Sequence, residues 1–104
     1  MKKTAVVLVV TVSAWFGAIA TADAADLGVG RQLYGVHCAS CHGASGVNVV
    51  PGAPNFTRNE GLQQPDASLL ASIRNGKNKM RGFAGVLKDA EIVDVIAYVR
   101  TLKK

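Results

Sequence analysis

Cysteine, histidine and methionine are scarce in this chain of 104 residues, which has two of each. The two cysteines, Cys38 and Cys41, are so close together that a disulfide between them would constrain the unfolded chain very little, which excludes a disulfide-stapled scaffold. Zinc is disfavoured because all four Cys and His side chains lie within residues 37–42, with no second pair to complete a tetrahedron. A thioredoxin-like site would need a preceding strand, and no segment alternates polar and apolar residues.

Long apolar runs are missing after the N-terminus. The uncharged stretch 5–20 follows Lys2 and Lys3 and precedes small residues at 22–24, which is the pattern of an export signal. It is shorter than the roughly 20 residues that span a bilayer, so cleavage is favoured over anchoring. We expect residues 1–24 to be a cleaved signal peptide and 25–104 to be one periplasmic domain, with an uncleaved anchor as the alternative.

Strong charge of either sign is also lacking. Without residues 1–24 the chain keeps ten basic and six acidic residues, a net charge of +4. This excess is too small and too scattered to indicate nucleic acid, but it suits an acidic docking partner. A domain of 80 residues buries only a modest core, and such domains often need a disulfide, metal or cofactor for stability.

The periodicity predicts an all-α fold. One helix begins at Asp26, its candidate N-cap, and continues into the cysteine motif with an apolar face that comprises Val29, Leu33, Tyr34 and Val36. Residues 43–59 are expected to form an ordered loop. A short helix opens at Pro65 and Asp66 and stops at Gly76, and 77–86 is again loop. The last helix is predicted to be capped by Asp89, with an apolar stripe formed by Ile92, Val95, Ile96, Val99 and Leu102.

The strongest motif is Cys38-Ala-Ser-Cys41-His42. Two thiols one helical turn apart, followed directly by an imidazole, have the spacing that attaches a haem through two thioethers and presents a histidine to its iron. Met80 is the only methionine after the predicted signal, so any thioether ligand to the iron must come from it. His37 is weighed as another ligand, but it directly precedes Cys38 and is expected to be a solvated helix residue.

With this motif near its start, the chain resembles the small monohaem class I c-type cytochromes, with His/Met ligation, over essentially all of 25–104. Gly30-x-x-x-Tyr34 and Val95-x-x-Tyr98 resemble the positions at which that family crosses its terminal helices. The resemblance implies three to four helices around one covalent haem c, with His42 and Met80 as axial ligands. It also implies that a proline carbonyl accepts a hydrogen bond from His42, for which Pro54 fits better than the alternative Pro51, and that Phe83 packs on the haem. Members of the family usually have proline after the methionine, whereas this chain has Arg81.

These residues favour a periplasmic, monomeric carrier of single electrons over an enzyme, since no second set of acid, base or nucleophile accompanies the motif. Four cations surround Met80 and are expected to dock an acidic redox partner: Arg74, Lys77, Lys79 and Arg81. The alternatives are a haem-based ligand sensor or weak peroxidase with a displaceable Met80, and a redox subunit dedicated to one reductase.

Overall fold

The computed structural model describes residues 2–15, 17 and 24–104. Residues 2–15 are exposed and form no helix or strand. The predicted cleavage motif at Ala22 and Asp23 lies outside the described residues. Within the described ranges, none of the helices has the length and apolar character needed to cross a membrane.

The described chain contains four α-helices and no strand, which confirms the all-α prediction. These are α1 (Leu27–His37), α2 (Ala39–His42), α3 (Asp66–Asn75) and α4 (Asp89–Arg100). The predicted loop at 43–59 also contains a short 3-10 helix, Phe56–Arg58. Its N-cap is Asn55, whose side chain accepts a hydrogen bond from the backbone N–H of Thr57.

Helices α1 and α4 cross where the sequence has glycine. Asp26 caps α1 as predicted, because its carboxylate accepts from the backbone N–H of Val29 at 3.0 Å. A Cβ at Gly30 would collide with the carbonyl oxygen of Asp94 and would lie 3.0 Å from the Cβ of Tyr98. Beside this contact the rings of Tyr34 and Tyr98 meet edge to face, with centroids 5.4 Å apart. The predicted crossing is therefore confirmed, and glycine is what permits it.

Helix α4 differs from its prediction at both ends. Its N-cap is Lys88 rather than Asp89, because Asp89 already has helical geometry and the Glu91 carboxylate accepts from the Lys88 backbone N–H at 2.9 Å. The helix ends at Arg100, so Leu102 lies beyond it in a turn, although it still packs against the core.

The core consists of two clusters that Leu33 and Leu69 both contact. The first cluster contains Tyr34 and the second contains Ile92. Val36 is the exception to the predicted face of α1: it is 75% exposed. Two residues along a helix is a rotation of about 200°, which turns Val36 away from the core that Tyr34 enters.

Arg100 ties α4 to the chain that leads into α3. Its guanidinium donates to the Asp66 carboxylate at 2.9 Å and to the carbonyl oxygens of Leu62 and Gln64 at 2.9 and 2.8 Å. Three acceptors in different directions suit the fixed fork of arginine. This contact anchors the segment 62–66, part of which faces the site.

Candidate cofactor site

Residues of both core clusters line a cavity of about 820 Å³. Cys38, Cys41 and His42 line one part of it, and Met80 enters from the loop between α3 and α4. The folded chain thus brings together the four side chains that the sequence singled out, although Met80 is distant from the motif in sequence.

The short helix α2 presents the two thiols. The backbone N–H of His42 donates to the carbonyl oxygen of Cys38 at 2.9 Å, so one helical turn separates the motif's ends. Cys38 is buried, Cys41 is exposed, and both are free thiols. Burial, with a smaller contribution from Cys41, raises the pKa of Cys38 to about 11, so at neutral pH its sulfur carries its proton.

His42 is held from two sides. Its Nδ1 lies 3.4 Å from the carbonyl oxygen of Pro54, and its ring stacks on Phe56 with centroids 4.5 Å apart. Burial lowers the pKa of His42, and the hydrogen bond to Pro54 opposes that shift. A neutral imidazole that donates from Nδ1 leaves Nε2 free to bind a metal. The structure records this contact for Pro54, while Pro51 is an exposed residue of the cavity lining.

Phe56 is a contact that the sequence reasoning missed. Its ring also lies 6.4 Å from that of Tyr34, so it joins His42 to the first core cluster. Its place directly after Pro54-Asn55 was the available signal, but stacking depends on the turn at 56–58 and cannot be inferred from spacing.

Gly43 allows the chain to turn sharply at the end of α2. Its φ is 83°, and a Cβ there would collide with the carbonyl oxygen of Val47. The hydroxyl of Tyr34 donates to the carbonyl oxygen of Gly43 at 2.7 Å. The end of the cysteine motif is therefore pinned to α1.

The Met80 loop, residues 76–83, is folded tightly onto the C-terminal end of α3. Lys77 and Met80 exchange two backbone hydrogen bonds, at 3.1 and 2.9 Å. A Cβ at Gly82 would lie 2.8 Å from the Asn75 carbonyl group, so only glycine fits there. Met80 is half-buried and packs against the cluster that contains Phe83, which is 3% exposed.

The four cations around Met80 differ in their surroundings. Arg74 forms an ion pair with Asp89, with Nε and Oδ1 3.2 Å apart, but no hydrogen bond. The guanidinium of Arg81 lies 5.3 Å from the centre of the Phe83 ring. Lys77 and Lys79 are exposed and have no salt bridge to any residue that the structure describes.

His37 is half-buried rather than solvated. Its ring meets that of Phe83 edge to face, with centroids 5.7 Å apart, and it lines the cavity. This contact links the end of α1 to the Met80 loop.

The lining suits a large, flat, mostly apolar group. Val36 and Val50 line the cavity and are 75% and 39% exposed. Leu69 and Ile73 line it from α3. A group lying in the cavity would cover such apolar surface, while two thiols, an imidazole and a thioether converge on it. These residues fit a covalently attached haem.

Comparisons with known proteins agree with this chemistry. The family model described as "Cytochrome C oxidase, cbb3-type, subunit III" matches residues 25–99. Cytochrome c6 of Synechococcus sp. is 38% identical over 95 residues, which is 86% of this chain and 80% of the relative. Cytochrome c6 of Thermosynechococcus vestitus is 40% identical over 80 residues, 73% of this chain and 70% of the relative. The crystal structure of cytochrome c6 from the diatom Phaeodactylum tricornutum superposes with a TM-score of 0.63 at 34% identity, covering 73% of this chain and 92% of that one.

Fold, site and relatives together define a c-type cytochrome. The chain belongs to the cytochrome c family as a small monohaem class I member. It is an electron-transfer protein with covalently bound haem c, it is not an enzyme, and its partners are redox proteins. The comparisons do not favour a ligand sensor or peroxidase.

Proposed function

We propose that the chain carries single electrons in the periplasm through a haem attached by Cys38 and Cys41, with His42 and Met80 as axial ligands. The observation that carries this assignment is that all four side chains line one apolar cavity. A haem held there supplies one-electron chemistry, because its iron alternates between ferric and ferrous.

The chain's own groups set the properties of the site. The Pro54 carbonyl oxygen orients the His42 ring, and Phe56 stacks on it, so the imidazole is held ready to bind. The Met80 thioether is a soft donor that favours the ferrous state and so raises the reduction potential. Phe83 is proposed to pack against the haem, since it lines the cavity beside Met80. With His42 and Met80 both bound, the iron would have no open position for a substrate.

Mass and absorbance test the attachment. Each thiol adds its sulfur to one vinyl carbon and its hydrogen to the other, so no atom is lost and no oxidant is needed. The protein purified from cells competent in haem attachment should weigh the polypeptide plus one whole haem and show a Soret band. A mass equal to that of the polypeptide alone would contradict the assignment.

Met80 ligation is tested by the variant Met80→Ala. The oxidised wild-type protein should show the weak near-infrared charge-transfer band of iron bound to sulfur, and its reduced form should barely bind carbon monoxide. Met80→Ala should lose the band and bind carbon monoxide readily, because the sixth position is open. Rapid carbon monoxide binding by the wild type would instead indicate the ligand sensor.

Export is proposed to remove residues 1–24. Residues 2–15 support this proposal, because they are exposed even though many of them are apolar. Val6, Leu8 and Val12, for example, are each 84% accessible and pack against neither core cluster. Protein recovered from the periplasm should begin at Ala25 by mass. Retention of residues 1–24 in the membrane fraction would indicate the uncleaved anchor.

The basic group Arg74, Lys77, Lys79 and Arg81 is proposed to dock an acidic redox partner, with the chain acting as a monomer. Lys77 and Lys79 have the greatest share in this surface, because they are exposed beside the cavity without an ion pair to any residue the structure describes. Such charges raise encounter rates with anions at low ionic strength.

Oxidation of the reduced protein by ferricyanide, a small anion, tests this surface without a named partner. The double variant Lys77→Ala/Lys79→Ala should react about two- to ten-fold more slowly at low salt, and the difference should shrink as salt is added. The control Arg31→Ala/Lys103→Ala removes the same charge at exposed positions outside the cavity lining. Equal rates for the two double variants would show that net charge alone, and not this surface, governs encounter.

A further inference from the structure

We propose that Arg81 is a positioning residue for Met80: its guanidinium, stacked on Phe83, holds the Met80 loop closed over the cavity. The inference rests on the proposed ligation by Met80. It gives one of the four cations of the proposed docking group a second role, toward its own loop.

The backbone hydrogen bonds that fix the loop lie toward α3, while its Phe83 packs in a core cluster that Leu33 of α1 also contacts. Toward α3, the backbone N–H of Phe83 donates to the Ile73 carbonyl oxygen and that of Ala84 to the Arg74 carbonyl oxygen, each at 3.0 Å. At Gly82 the chain lies close to the Asn75 carbonyl group on that same side, whereas at Gly76 it lies close to the Met80 carbonyl oxygen within the loop. Between the Lys77 and Met80 hydrogen bonds, Asn78 turns the chain with a φ of 55°. These backbone contacts set the path of the loop, but none of them reaches α1.

Side chains connect the loop to α1: Leu33 packs against the cluster that contains Phe83, and two further side chains contact the Phe83 ring. The His37 ring at the end of α1 meets the Phe83 ring edge to face, with centroids 5.7 Å apart. The Arg81 guanidinium carbon lies 5.3 Å from the centroid of the same ring, within the range of a cation–π contact. Since Arg81 follows Met80 directly, restraining its side chain on Phe83 also restrains the backbone that carries the Met80 sulfur.

The other cations do not share this arrangement. Arg74 is paired with Asp89, and for Lys77 and Lys79 the structure records no ring contact among the residues it describes. A half-exposed cation–π contact changes an equilibrium by about two- to five-fold, so the expected effect is a measurable loosening of the loop and not its collapse.

Carbon monoxide binding to the reduced holoprotein measures this loosening, because the gas can bind only when the Met80 sulfur leaves the iron. Arg81→Ala and Arg81→Gln should each raise the affinity for carbon monoxide about two- to five-fold. Arg81→Lys keeps a cation over the ring and should stay closer to wild type than Arg81→Ala does. Lys103→Ala, at an exposed position beyond α4, is the charge-matched control and should match wild type.

The near-infrared band of the oxidised protein is the second readout. In Arg81→Ala it should disappear at lower temperature than in wild type, with Arg81→Lys between the two. Identical carbon monoxide affinities in wild type and Arg81→Ala, or equal changes in Arg81→Ala and Arg81→Lys, would overturn the role of Arg81. Absence of the band from the wild type would instead refute Met80 ligation itself, and with it this inference.

Discussion

Tyr34 is the most deeply placed polar side chain of the site. It is 1% exposed, and its hydroxyl donates to the carbonyl oxygen of Gly43 at 2.7 Å. Burial, followed by smaller contributions from Cys38 and Tyr98, raises the pKa of Tyr34 to about 12. The Cys38 contribution ends when that sulfur becomes a thioether, but the larger contribution, burial, remains.

The raised pKa predicts a loss of stability in alkali. The phenol ionises near pH 10 in the unfolded chain and near 12 in the folded one, so the folded state binds more protons between those values. Its contribution is therefore complete below about pH 10 and is lost as the pH rises toward 12. Urea unfolding at pH 7 and at several values between about pH 10 and 12 measures this loss of stability.

Replacing Tyr34 with phenylalanine should remove that pH dependence. Tyr34→Phe should also lower the free energy of unfolding at pH 7 by about 1–3 kcal/mol, because the Gly43 carbonyl loses its donor. Tyr98→Phe is the matched control, since no hydrogen bond from its hydroxyl to a described residue is recorded. The explanation fails if Tyr34→Phe keeps the full alkaline loss of stability.

The crossing of α1 and α4 offers a comparison between two glycines of one helix. A Cβ at Gly30 would meet backbone atoms of Asp94, whereas a Cβ at Gly35 would meet nothing within 4 Å. Backbone cannot move aside as a flexible side chain can, so the first site is restricted by packing and the second only by helix propensity.

Substitution by alanine should therefore have opposite effects at the two positions. Gly30→Ala should destabilise the protein by about 1–3 kcal/mol through overpacking, although alanine is the better helix former. Gly35→Ala should stabilise it by about 0.5–1 kcal/mol. Denaturant midpoints of the two variants check this, and a Gly30→Ala protein as stable as wild type would show that the crossing tolerates a side chain.

The helices themselves follow from local chemistry. Helix α1 begins after Asp26 and α3 ends before Gly76, as predicted, because caps and φ preferences act between near neighbours. Val36 does not pack in the core with the rest of the predicted face of α1, because its exposed side chain lines the cavity instead. The Arg81–Phe83–His37 stack was not predicted, since it depends on how the loop folds back across the end of α1.

The residues of the site could be predicted from the sequence more readily than the packing that supports them. Cys38, Cys41 and His42 are adjacent in sequence, and Met80 could be picked out because no other methionine follows the predicted signal. The Arg100 contacts to Leu62 and Gln64 join segments far apart in the chain, so no local sequence pattern predicts them. The choice between Pro54 and Pro51 likewise needed the path of the loop.

Residues of both core clusters line the cavity of about 820 Å³, so neither cluster is fully packed on the side that faces it. This cavity is open to solvent, because exposed residues such as Val36 and Lys77 line it, so without haem its apolar walls contact water and lose the burial that stabilises a core. Domains are typically stable by only about 5–15 kcal/mol. A chain without haem has little surplus stability with which to offset that loss, so we expect the packing of Leu69 and Ile73 around the cavity to loosen.

Preventing haem attachment should abolish cooperative folding of residues 25–104. The variant Cys38→Ser/Cys41→Ser, made in cells that lack the attachment machinery, should keep part of the far-ultraviolet helical signal and lose the near-ultraviolet signal of fixed Tyr34 and Tyr98. It should also bind a dye for exposed apolar surface, as loosely packed states do. The attached wild type should unfold in one sharp transition. A sharp transition at the same midpoint in both proteins would mean that the two clusters are stable without a bridging group.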